Sequence, residues 1–336
     1  MLPTLMYHSI SNGEHVHLCV RPRTFARQCA ILAHCGYRTV SLAEAQGHFL
    51  GGRPLPRKSL WLTFDDGYAD NWFYAFPVLQ KYKLKATIFL ISSQLGEGAL
   101  REKQTLDSTF IFTSQNNCFQ QPQAMLTRGE IQHMLDSGLV DVAAHSHSHG
   151  FVKANNIPSG FTGPSNEDNH HCWGMPLFAG AGALCSRAFL PHEQLQPYMR
   201  TVLPSAKEEC ARWFDRDEAR QHLEKALAAF AAEYGGLGRF EDDAEMYQRM
   251  YTELRESKRC VEYLTGQEAL TLCWPQGKWS SMALQVARDL GFRLFVTTRH
   301  GVNKGAGERE EVARLAVREQ PSVKFLLKLI LWNLSS

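Results

Sequence analysis

Two short motifs, Thr63-Phe64-Asp65-Asp66-Gly67 and His145-Ser146-His147-Ser148-His149, each follow directly on an apolar run of strand length. No other feature of the chain constrains its fold as much. Ser59-Leu60-Trp61-Leu62-Thr63-Phe64 reads as a buried strand, and Gly67 lets the chain turn sharply after it. Leu139-Val140-Asp141-Val142-Ala143-Ala144 runs into His145 in the same way. Two carboxylates and three imidazoles thus stand at strand ends, where sites of α/β enzymes gather, and they are expected to meet at one rim. That is the inventory of a hydrolytic metal site. Alone, Asp-Asp-Gly is most often a solvated turn and a His-rich run a surface loop. Their joint occurrence, each behind a strand, favours chemistry.

Strand and helix alternate around these motifs. Residues 23–50 read as an amphipathic helix, a break at Gly36, a strand Tyr37-Arg38-Thr39-Val40 and a short helix from Ser41. Asn71 to Lys83 reads as a helix leading into a strand over 86–91, and Thr127 opens a helix with Glu130 at capping-box spacing. The rhythm predicts a barrel or a parallel sheet. With 336 residues, 44% of them apolar, the chain can bury a large core as one barrel with insertions or as two domains. After His149 comes a segment longer than a βα connection needs. Its first part, Phe151 to Pro204, is rich in Gly, Pro, Asn, His and aromatics and reads as loop. Ala206 to Tyr263 reads as two or more helices broken at Gly235-Gly236. His170-His171-Cys172 invites a second metal site, but adjacent loop histidines are more often unliganded.

T-F-D-D-G followed by H-S-x-x-H resembles the polysaccharide deacetylase family, also called the NodB-homology or carbohydrate esterase 4 family. Leu5-Met6-Tyr7-His8-Ser9 is similar to the family's opening strand, and Lys85-Ala86-Thr87-Ile88-Phe89-Leu90 to the strand after its first motif. Trp274-Pro275-Gln276-Gly277 is similar to its third motif, and Gly291-Phe292 through Val296-Thr297-Thr298 to its late strand. The likeness covers residues 1–150 and 255–318. It implies an α/β fold: a distorted (β/α) barrel over 1–320, a long, largely helical insertion over 151–255, and an apolar and basic helix over 321–336.

By the family pattern, Asp66, His145 and His149 bind one divalent ion and Asp65 is the general base. Zinc is the default for this mixed ligand set, with cobalt or nickel as alternatives; such a site keeps positions open for water and a substrate oxygen. The implied activity is removal of the N-acetyl group from an amino sugar of a glycan or glycolipid precursor, in envelope polysaccharide or lipopolysaccharide synthesis. The alternatives are a deformylase or other amide hydrolase acting on a sugar, and a catalytically silent glycan-binding member of the fold.

Two departures from the pattern stand out. Many members carry R-x-P-Y in the third motif, where the arginine orients the base; here Cys273 and Gln276 occupy the outer places, so Asp65 is expected to lack that partner. The late stretch Val312-Ala313-Arg314-Leu315-Ala316-Val317 has no histidine to inherit the general-acid role. His8, His147 and His300 are candidates for acid or substrate contact by chemistry alone, His8 foremost because it ends a strand. Trp274, Pro275 and Gln276 are candidates for a site wall.

Composition bounds the partners. A net charge of +2 from 36 basic and 34 acidic residues offers no broad cationic face for nucleic acid. Nine scattered cysteines without a C-x-x-C pair fit reduced thiols, and Met1-Leu2-Pro3-Thr4 leads straight into a strand without the n- and h-regions of a leader. The expected location is cytoplasmic, with peripheral contact on the inner face of the membrane. That contact would come from Val323 to Leu334, where Lys324 and Lys328 share one face of an apolar helix that includes Trp332.

Overall fold

The computed structural model describes residues 1–12, 18–102, 125–301, 303, 305, 307 and 309–334, with side chains as far as residue 329. The chain divides into two compact units, residues 1–149 with 251–336, and residues 150–250. The first unit begins with β1 (Thr4–Tyr7), α1 (Pro22–His34), β2 (Arg38–Thr39), α2 (Leu42–Gly51) and β3 (Ser59–Phe64). A π-helical turn, Asn71–Ala75, continues into α3 (Phe76–Tyr82), followed by β4 (Ala86–Ile91), α4 (Arg128–Asp136) and β5 (Val140–Ser146). The second unit holds β6 (Phe151–Phe161), β7 (Pro176–Gly182), β8 (Phe189–Pro191), α5 (Leu195–Thr201), α6 (Lys207–Phe214), α7 (Ala219–Tyr234) and β9 (Gly238–Phe240). Then come α8 (Asp243–Thr265), β10 (Thr271–Cys273), α9 (Ser281–Asp289), β11 (Leu294–Val296), β12 (Leu315–Ala316) and α10 (Ser322–Leu334).

In the first unit the strands form one sheet in the order β11-β10-β5-β4-β3-β1-β12, with β2 beside β3. Every pairing in it is parallel. Leu5 faces Leu62 on one side and Leu315 on the other, while Val296 bridges Val312. The stretch from Val312 to Ala316 therefore touches both edges of the sheet and closes it into the expected distorted (β/α) barrel. One seam is thin: β5 and β10 pair through Ala144 and Leu272 alone. β3 and β4 are buried at every position, because helices or barrel interior cover both faces of a parallel strand. Val40, Phe49, Trp61, Phe89, Leu294 and Val296 pack in the core they enclose.

Local chemistry sets the element ends. Ser41 and Thr127 both form complete capping boxes, with Glu44 and Glu130, which satisfies orphan N–H groups at the starts of α2 and α4. α7 stops where Gly235 takes a left-handed conformation, φ 72°, as the Gly-Gly pair predicts.

Residues 150–250 differ from expectation in their first half. Where loop is predicted, β6 and β7 form an antiparallel pair. The strands are hidden in the sequence because Pro158 and Gly160 interrupt the ladder at register shifts and neither face is consistently buried, so no period of two marks them. This unit has its own core, built on Trp173, Met199, Cys210, Leu223 and Phe230. Among the described residues all cysteines are free thiols; Cys118 lies outside them. No helix among them is long and apolar enough to cross a membrane.

Candidate metal centre and active site

The site assembles where the parallel strands of the first unit end at their C-terminal edge. β1 delivers His8, β3 delivers Asp65 and Asp66, β5 ends on His145 and Ser146, and β10 ends on Cys273. Asp65 N–H donates to Tyr7 O at 2.9 Å, so Asp65 still belongs to the barrel ladder. The chain then turns left-handed twice, at Asp66 (φ 74°) and Gly67 (φ 83°). At φ 83° an L side chain on residue 67 is strained, and its Cβ would also lie 2.9 Å from Leu90 Cδ2, so that turn favours glycine. His149 is also left-handed, φ 53°, with its N–H held by Ser146 Oγ at 2.9 Å. Two of the three expected metal ligands thus sit in a backbone region that non-glycine residues rarely adopt, a pattern typical of positions fixed for function.

Asp66, His145 and His149 each offer a ligand atom, and these atoms lie within 4.8 Å of one another. His145 Nδ1–H donates to Cys273 O at 2.8 Å, which leaves Nε2 facing Asp66 Oδ1 at 3.3 Å. Burial opposes charge on Asp66, but the hydrogen bond from His145 overrides it and holds the carboxyl far below its ordinary value. Burial likewise would lower His145, yet Cys273, Asp66 and Asp65 hold that imidazole well above the usual range. His149 is pushed down by burial and by His145, which favours the neutral, ligating ring. The oxygen and two nitrogens form a donor set suited to a divalent cation. A second trio, Asp65, His145 and Cys273, is equally close. It is the poorer donor set, because burial pushes the Cys273 thiol up and Asp65 is committed elsewhere.

That commitment corrects the expectation that Asp65 has no arginine partner. Arg314 is fully buried and clamps Asp65 with both arms: Nη1–H to Oδ1 at 2.6 Å and Nη2–H to Oδ2 at 2.7 Å. Its other donors reach Thr297 O at 2.8 Å, Thr63 Oγ1 at 3.2 Å and Cys273 Sγ at 3.1 Å, so all five guanidinium N–H groups are used. Burial raises a carboxyl, but Arg314, with His8 behind it, lowers Asp65 below its ordinary value, so it is ionised and ready to accept a proton. The arginine arrives from the residue just before β12, not from the third motif; a small Cys273 leaves room for it. The sequence signal was a lone arginine inside the apolar run Val312–Val317.

The other candidates separate cleanly. His8 Nε2 lies 3.7 Å from Asp65 Oδ2, and its buried Nδ1 has no hydrogen-bond partner among the described residues. His147 is tied back, Nδ1 2.9 Å from Ser92 Oγ and its carbonyl accepting from Ser93 N–H. His300 is exposed on the loop after β11. Of the expected wall, Trp274 is buried and stacked between Trp279 and Phe295, Pro275 is buried, and Gln276 is exposed with φ 58°. His170 and His171 stack on each other but belong to none of the potential metal clusters among the described residues.

Two further carboxylates were not foreseen. Glu253 on α8 accepts from Ser148 N–H at 2.6 Å and from its hydroxyl, pinning the loop between His147 and His149. Asp70 is fully buried and accepts from Ser9 Oγ at 2.5 Å and Asn71 Nδ2 at 2.8 Å. No cation pairs with it among the described residues, and burial pushes its carboxyl up to about 6.

Comparison with known proteins agrees with this geometry. The profile of the polysaccharide deacetylase family matches residues 52–164, the span holding both motifs. YxkH of Bacillus subtilis (strain 168) is 42% identical over 95 residues, covering 28% of this chain and 33% of the relative. The poly-β-1,6-N-acetyl-D-glucosamine N-deacetylase of Escherichia coli (strain K12) is 22% identical over 327 residues, covering 95% of this chain and 37% of the relative. The chain thus spans about a third of these relatives' length. Its fold matches that of a de-N-acetylase from Aggregatibacter actinomycetemcomitans with a TM-score of 0.65 at 18% identity, covering 98% of this chain and 99% of the other. The barrel, the rim and the two motifs define a NodB-type (β/α) barrel. Residues 52–164, which carry both motifs, match the polysaccharide deacetylase family, and Asp66, His145 and His149 form a possible metal site beside them.

Proposed function

We propose that this chain is a metal-dependent hydrolase that removes the N-acetyl group from an amino sugar of a glycan or glycolipid precursor. The observation that carries the reading is Asp65, ionised and clamped by Arg314 beside the Asp66, His145 and His149 donor set. A divalent ion held by that set, with zinc the first candidate, would act as a Lewis acid on the amide carbonyl and acidify the attacking water.

The chain's own residues divide the remaining work. Asp65 takes the proton of the attacking water, because its two oxygens keep lone pairs beyond those used by Arg314. Arg314 keeps the carboxylate from rotating away, and Cys273 O keeps the His145 ring in its ligating tautomer. His8, adjacent to Asp65, is positioned to pass a proton to the leaving amine. The silent-binder alternative drew on the altered third motif and on the missing late-motif histidine; Arg314 weakens the first of these supports.

The relatives named for poly-N-acetylglucosamine deacetylation favour a polymer of that sugar or its precursor. Free thiols, Cys273 beside the base among them, favour a reducing compartment, and cell fractionation tests that location. The decisive experiment measures acetate and formate release across nucleotide sugars, lipid-linked amino sugars, lipopolysaccharide core and soluble N-acetylglucosamine oligosaccharides. Acetate release that Asp65→Asn abolishes is expected. Formate release instead would favour the deformylase, and no release from any substrate by metal-loaded protein would sink the hydrolase reading.

A further inference from the structure

Among the described side chains, α10 is docked on its own barrel by one face. Phe325 and Leu329, four residues apart, are buried, and Leu329 O accepts from Tyr37 Oη at 3.4 Å. The opposite face carries Val323 and Leu327, also four apart, 69% and 53% exposed. In the sequence the apolar series continues at Leu331, four residues on, and Leu334, three further. Lys324 and Lys328 follow these two apolar residues around the helix, and Arg318 lies just before it. No carboxylate pairs with these three cations among the described residues. Glu319, the nearest acid in sequence, is turned to the start of α1, accepting from Arg21 N–H at 2.9 Å and Thr24 Oγ1 at 2.6 Å. The three cations repel one another, since Lys324 and Arg318 add to burial in holding the Lys328 ammonium below its ordinary value.

We propose that this outer face of α10 seats the protein on an anionic lipid bilayer, with Val323 and Leu327 at the headgroup–acyl boundary and Lys324, Lys328 and Arg318 on lipid phosphates. An apolar stripe flanked by unpaired cations is the pattern of an interfacial helix. A second copy of the chain fits poorly. A two-fold contact would set the same three cations against themselves, and one stripe of a short helix falls well below the roughly 800 Å² per partner of a stable interface. The docked inner face keeps the helix in register with the barrel, so binding needs no unfolding.

Co-sedimentation of the full chain with vesicles tests this. Binding is expected to vesicles of phosphatidylcholine mixed with phosphatidylglycerol, not to phosphatidylcholine alone, and to weaken with salt. Lys324→Gln and Lys328→Gln should each weaken it roughly fivefold. Val323→Glu with Leu327→Glu should abolish it while leaving thermal unfolding unchanged, since both side chains are exposed. Absence of binding to the mixed vesicles, or binding indifferent to both pairs of substitutions, would overturn the proposal. So would light scattering that shows a dimer dispersed by the glutamates without any vesicle binding.

Discussion

Each unit of the molecule holds an arginine–carboxylate clamp, and only one clamp is a site. In residues 150–250, Arg249 grips Glu241 through Nε and Nη2 and reaches Ala183 O and Ser186 O. In the barrel, Arg314 grips Asp65 with comparable geometry. Both carboxylates are nearly inaccessible. Their neighbours differ. Glu241 spends its remaining capacity on the Ala188 N–H, a structural debt of the chain. Asp65 abuts a second carboxylate and faces an imidazole. A buried ion pair is therefore no signature of catalysis; adjacent titratable groups at a strand-end rim are.

Replacing Arg314 sharpens that contrast most. Arg314→Met strands a buried carboxylate, which should cost about 3–5 kcal/mol in urea unfolding. Acetate release per folded molecule should also fall by about 10²–10⁴, the scale of a disabled general base. Arg314→Lys restores a charge but not the fork, so stability should recover further than turnover. Arg249→Met should cost about 1.5–3 kcal/mol, as for hydrogen bonds to a charged group, and leave turnover intact. Equal activity losses in the two methionine variants would erase the distinction.

The unpaired Asp70 probes the same logic from the other side. Its raised carboxyl favours the protonated form when folded, so its contribution is full below about pH 4 and is lost as pH rises through about 6. Taking the shift from an ordinary aspartate to about 6, the loss approaches 3 kcal/mol by pH 8. Asp65 and Asp66, held low, act in the opposite sense, and their stabilisation disappears as pH falls below about 4. Urea midpoints of the wild type should decline from pH 5 to 8. Asp70→Asn, whose amide can still bond a rotated Ser9 hydroxyl, should flatten that decline; an unchanged slope would place the effect elsewhere.

The smallest effect is expected at Glu253. Glu253→Ala frees Ser148 and should weaken divalent-ion binding about tenfold by titration calorimetry, as for outer partners of metal ligands. Unfolding should barely move. Glu253→Gln, which keeps one acceptor, should recover most of the affinity.

The barrel was legible because β3 and β5 are short, largely apolar runs with chemistry at their ends, and because Thr127 with Glu130 and Gly235 mark helix ends by local bonding. The β6–β7 pair was not, since its strands alternate nothing and contain a proline. Within the site, Asp65, Asp66, His145 and His149 could be read from contiguous motifs. Arg314, Glu253 and Asp70 could not be assigned, because their roles depend on partners brought near by folding. Arg314 alone left a trace, a charge where the pattern demanded an apolar residue.

Asp65 and Arg314 are 249 residues apart in sequence. At a ribosomal pace of about 5–20 residues per second, the aspartate leaves the tunnel roughly 12–50 s before its clamp exists. During that interval the open barrel presents the edge of β1 that β12 later covers, and Asp65 has no arginine to make its burial tolerable. The pairing of β12 with β1 and the Arg314 clamp on Asp65 come from the same short stretch, so a chain stalled between the two residues lacks both the cover on that strand edge and the partner of the buried carboxylate.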